Sequence, residues 1–127
     1  MIFLDLKTAV FAAASELIRT QSPPVLTTPL VYSTVNLLEA RTGHSIIMQF
    51  GDWEVEKFLM RRKDVFQMQR NLDRSFSYRI RPEYASSIPQ LMYALDPTLN
   101  HPIDFLREIG LFEGVNINTK KENNYAD

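Results

Sequence analysis

The chain contains no cysteine. Disulfides, thiolate metal sites, iron–sulfur clusters and cysteine nucleophiles are therefore excluded. Glycine is scarce: Gly43, Gly51, Gly110 and Gly114 are the only four, and they do not cluster. A P-loop or a Rossmann fingerprint needs clustered glycines, because the backbone itself must approach phosphate. Histidine occurs twice, as His44 after a helix-ending glycine and His101 before a helix-starting proline. Both positions suit turns or caps. No His-Glu-x-x-His pair and no Gly-x-Ser-x-Gly elbow can be found. With no nucleophile–base pair and no phosphate loop, the expectation is a non-enzymatic protein without cofactor, metal or small-molecule substrate.

Long apolar runs are also missing. No stretch nears the ~20 residues of a membrane span. The opening Met1-Ile2-Phe3-Leu4 is interrupted by Asp5 and Lys7, and no basic segment precedes the short run Ala9 to Ala14, so no signal peptide is read. The expected setting is cytoplasmic or intracellular, with no membrane partner. The formal net charge of −1 gives no global pull towards nucleic acid or anionic lipid.

The 127 residues fit one domain with an ordinary apolar fraction of 45%. Residues 5–20 read as an amphipathic helix with Leu6, Val10, Ala13 and Leu17 on one stripe and Thr8, Ser15, Glu16 and Arg19 opposite. Pro23-Pro24 makes 21–27 a stiff connector. A second helix spans 29–42, capped by Thr28, opened by Pro29 and closed by Gly43. Ser45 to Phe50 reads as a strand. Trp53 and Val55 alternate with Glu54 and Glu56, which reads as another strand. A single helix from Trp53 to Leu72 would scatter its apolar side chains around the axis. Trp53 itself reads as a core or interface anchor.

Ser75 to Arg81 is the clearest strand, with Phe76, Tyr78 and Ile80 on one face. Phe66 and Met68 share that face if Val65–Arg70 pairs with it across an odd-numbered loop. Ser87 to Gln90 matches a capping box, followed by a short helix that Asp96-Pro97 ends. Another helix runs from about 100 to Gly110. The expected fold is α+β: a small antiparallel sheet over about 44–81, flanked by two N-terminal and two C-terminal helices, forming one domain over 1–114 with a polar tail at 115–127.

Charge is segregated. Between Lys57 and Arg81 eight basic residues meet only Asp64 and Asp73, a local excess of six positive charges, while the rest of the chain has an excess of seven negative ones. Six of the eight are arginines, Arg61, Arg62, Arg70, Arg74, Arg79 and Arg81, with Phe58, Phe66, Phe76 and Tyr78 interleaved. Arginine favours bidentate contact with phosphate or carboxylate. These six form the candidate binding surface, a basic β-ribbon. The leading expectation is an interaction or assembly protein that meets a protein partner or itself, such as a structural subunit of a larger particle, viral particles included. The alternative is a nucleic-acid-binding regulator using the same arginines. Asp52, Glu54 and Glu56 would share one strand face, where carboxylates can hold a divalent cation or keep an edge strand soluble; the second use is favoured.

Overall fold

The computed structural model describes residues 2–95. The expected second C-terminal helix and the 115–127 tail lie outside them. The architecture is mixed helix and strand, an α+β fold with two small sheets. Strand β1 (Ile2–Leu4) leads into helix α1 (Leu6–Thr20). Asp5 caps that helix by accepting the Thr8 N–H at 2.9 Å. Strand β2 (Val25–Leu26), helix α2 (Thr28–Thr42) and strand β3 (Ile46–Met48) follow. Gly43 ends α2 in the left-handed conformation that residues with a Cβ disfavour. The cap of α2 is Thr27, one residue earlier than the sequence pattern indicates.

Helix α3 (Asp52–Arg61) precedes the hairpin of β4 (Phe66–Arg70) and β5 (Phe76–Ile80). The short helix α4 (Pro82–Ala85) and helix α5 (Ile88–Leu95) complete the described chain. Ser87 caps α5, its hydroxyl accepting the Gln90 N–H at 3.3 Å.

Helix α1 is the central element. From Thr8 to Ser15 every residue is buried, Thr8 and Ser15 included, so the polar face expected there does not exist. A helix buried all round needs small side chains, and Ala12, Ala13 and Ala14 let its neighbours approach. Leu4, Phe11, Leu26, Leu38, Tyr78 and Leu91 belong to a single buried cluster that runs from Leu4 to Leu95.

The antiparallel sheet has the order β2-β5-β4. The pairing of β4 with β5 places Phe66 opposite Ile80, Met68 opposite Tyr78 and Arg70 opposite Phe76, across a five-residue loop. That is the register the apolar alternation requires. The third strand was not expected: β2 comes from the proline-rich connector and pairs Leu26 with Tyr78. Nor does β3 join this sheet. It pairs in parallel with β1, Ile2 opposite Ile46 and Leu4 opposite Met48.

The expected strand at Trp53 to Glu56 is a helix. Val55 and Leu59, four residues apart, are the buried pair that fixes α3, whereas Trp53 points to solvent at 63% exposure. Glu54 accepts the Gly51 N–H at 2.8 Å, and Asp52 and Glu54 sit in the first turn, where carboxylates favour a helix. The alternation of Trp53 and Val55 with glutamates imitates a strand because one of the two apolar residues is not buried. Trp53 therefore stands outside the core.

Candidate functional site

The carboxylates near α3 have an internal role. Thr28 and Tyr32 lie one turn apart on α2, and Glu56 and Asp52 lie one turn apart on α3. Glu56 accepts from the Thr28 hydroxyl at 2.7 Å and from the Tyr78 hydroxyl at 2.5 Å. Tyr32 hydrogen-bonds Asp52, and burial together with that carboxylate pushes its phenol up to about 12. Burial and the bond to Glu56 likewise raise the Tyr78 phenol far above the usual tyrosine value. Two acids thus hold α3 against α2 and the central strand of the sheet. As helical residues, Asp52, Glu54 and Glu56 do not share a face as the strand reading required. No group of three or more metal-ligating side chains occurs among the described residues.

The six arginines divide. Arg62 is held internally: its guanidinium donates to both oxygens of Asp64, at 3.1 and 2.8 Å, and to the carbonyls of Ala94 and Leu95. It ties the last described turn of α5 to the residues that follow α3. The guanidinium beside Asp64 holds that carboxyl below its ordinary range. Arg81 donates its Nε–H to the Lys63 carbonyl at 2.7 Å and ties the base of the hairpin.

Arg61, Arg70, Arg74 and Arg79 make no ion pair with a described residue. They are not on one face. Arg70 opposes Phe76 and so lies on the side of Tyr78 and Ile80. Arg79 lies on the other side, between Val25 and Gln67. Arg61 ends α3, and Arg74 sits in the turn of the hairpin.

That turn is held together by its own polar groups. Asn71 N–H donates to the Ser75 carbonyl at 2.8 Å, and Arg74 N–H to the Asn71 carbonyl at 3.0 Å. Asp73 accepts the Ser75 N–H at 3.0 Å and the Ser75 hydroxyl at 2.5 Å. The acid of the tip is thus engaged with the turn rather than with the arginines. Leu72, between them, is fully exposed at 106%. Arg74 has φ +73°, a left-handed position where glycine or asparagine is the usual residue.

A groove of about 680 Å³ lies beyond the base of the hairpin, lined among the described residues by Asp64, Glu83, Tyr84, Pro89, Gln90, Tyr93 and Ala94. Tyr93 is 68% exposed. The alternating pattern of the sequence marks neither this groove nor Leu72. The only signal for Leu72 is a large apolar residue inside an otherwise polar turn.

No described helix is long and apolar enough to cross a membrane. No family model, curated protein or solved structure matches the chain.

Proposed function

We propose that this chain is a non-enzymatic interaction and assembly protein, a structural subunit of a larger particle, docking on protein through its β4–β5 hairpin. The observation that carries the reading is the hairpin tip. Leu72 stands in water between Arg70 and Arg74, on a turn already fixed by hydrogen bonds. An exposed large apolar side chain gains when a partner covers it, and the arginines that flank it are a residue type enriched at protein interfaces. A turn that is rigid before binding loses less entropy when it binds. Arginine at a left-handed backbone position costs on the order of 1–2 kcal/mol, and strain of this kind concentrates where a side chain has a task.

Light scattering on the purified protein, together with co-purification of the tagged chain from its source, tests this. A complex in either is the expected result. A lone monomer in both overturns the reading.

A second reading, nucleic-acid binding, draws support from the four arginines without acidic partners among the described residues. The strand register divides Arg70 and Arg79 between opposite faces, which favours the protein reading. Nucleic-acid binding predicts affinity that falls steeply with salt as counterions are released. Absence of binding at low salt removes it.

A further inference from the structure

The hairpin tip and the groove of this chain are complementary, and one molecule cannot bring its own pair together. Asp64, on the groove wall, lies in the turn that precedes β4, and Arg70 is the last residue of that five-residue strand. At roughly 3.3 Å per residue, the strand alone sets the tip about 13 Å from the base of the hairpin. The tip offers an apolar side chain, Leu72, with Arg70 two residues before it and Arg74 two residues after it. The groove offers the rings of Tyr84 and Tyr93 and the ring of Pro89, with a carboxylate at Glu83; the carboxylate of Asp64 is already engaged by Arg62. Its volume is within the ~300–1,000 Å³ of clefts that seat a specific ligand.

We propose that the occupant of the groove is the hairpin tip of a second copy of this chain. Leu72 enters between Tyr84 and Tyr93, and the arginines of the tip meet Glu83. This deepens the assembly reading above and rests on it.

Tip and groove are different surfaces, so the contact is head-to-tail. Such a contact repeats until the chains close into a ring or extend as a filament. A single turn seated in a groove covers less than the ~1,200 Å² total of a stable specific interface, so each contact is weak and shows at high concentration. Part of the attraction is between exposed charges and diminishes with ionic strength.

The test is sedimentation of the full chain at concentrations up to about 1 mM, where contacts of this strength populate. Two variants are compared with the unaltered chain: Leu72→Asp in the tip and Tyr93→Asp in the groove. Both residues are exposed, and circular dichroism verifies that each variant is folded. The unaltered chain is expected to rise at least about twofold in average mass with concentration, as repeating contacts require. Each variant alone is expected to remain a single chain. Mixed in equal amounts, the two are expected to form a dimer and nothing larger, since one retains the groove and the other the tip. A mixture that stays monomeric, or a variant that associates like the unaltered chain, overturns the proposal. An unaltered chain that stays monomeric at 1 mM yet co-purifies in a complex overturns the second-copy inference and leaves the assembly reading intact.

Discussion

The acidic and the basic halves of this molecule use charge in opposite ways. Around α3 the carboxylates of Asp52 and Glu56 turn towards hydroxyls of α2 and β5 and hold the fold together. In the hairpin, Arg70, Arg74 and Arg79 have no described acid facing them, and the tip acid is engaged with its own turn. Charge that finds a buried partner is structural; charge held in water on a rigid turn remains available for another molecule. Arg62 marks the boundary, because it belongs to the basic segment by sequence and to the structural half by contact.

The largest effect that would break this contrast lies at Glu56. Replacement by alanine leaves the buried Tyr78 hydroxyl without its acceptor, and about 2–3 kcal/mol of stability should be lost, measured by urea unfolding. If Glu56→Ala unfolds like the unaltered chain, the acidic half is not structural. Arg62→Ala should cost about 1–2 kcal/mol in the same measurement by removing its bonds to the Ala94 and Leu95 carbonyls, while Arg70→Ala or Arg79→Ala stays within about 0.5 kcal/mol. Equal losses at all three positions would erase the distinction.

Alkaline pH probes the acidic half from another side. The folded phenols of Tyr32 and Tyr78 titrate above the ordinary tyrosine value of 10.0, so the unfolded chain releases these protons first. Their contribution is fully present below pH 10 and is lost as pH rises towards about 12, where Tyr32 ionises. A double variant Tyr32→Phe and Tyr78→Phe should flatten the fall in thermal midpoint over that range. An unchanged fall would show that other groups govern it.

A smaller effect concerns α1. The Ser15 hydroxyl, 1% exposed as a residue, has no hydrogen-bond partner among the described residues. Ser15→Ala removes an unsatisfied polar group and improves helix propensity, and should raise stability by about 1 kcal/mol. A loss instead would mean that the hydroxyl has a partner.

The parts of the fold legible in the sequence are those whose signals are local. Helices α1 and α2 follow from apolar spacing and from Pro29 and Gly43, and the β4–β5 register follows from Phe66, Met68, Phe76, Tyr78 and Ile80. The parts not legible depend on distant partners. Strand β2 is two residues long inside a proline-rich connector and exists because β5 lies beside it. The pairing of β1 with β3 spans more than forty residues. Helix α3 was masked by an exposed tryptophan, and the apolar scatter of 53–72 arises because the period changes from helix to strand near Arg62. For the same reason the arginine cluster could be counted but not sorted. The carbonyls that hold Arg62 belong to Ala94 and Leu95, some thirty residues downstream.

The central claim is that the hairpin tip is kept for docking at some cost to folding, and Arg74→Gly tests it most directly. Glycine adopts the left-handed backbone of that position without strain. The account predicts that this single variant gains about 1 kcal/mol in urea unfolding while its association in sedimentation weakens. A variant that loses stability, or that associates as strongly as the unaltered chain, would contradict it.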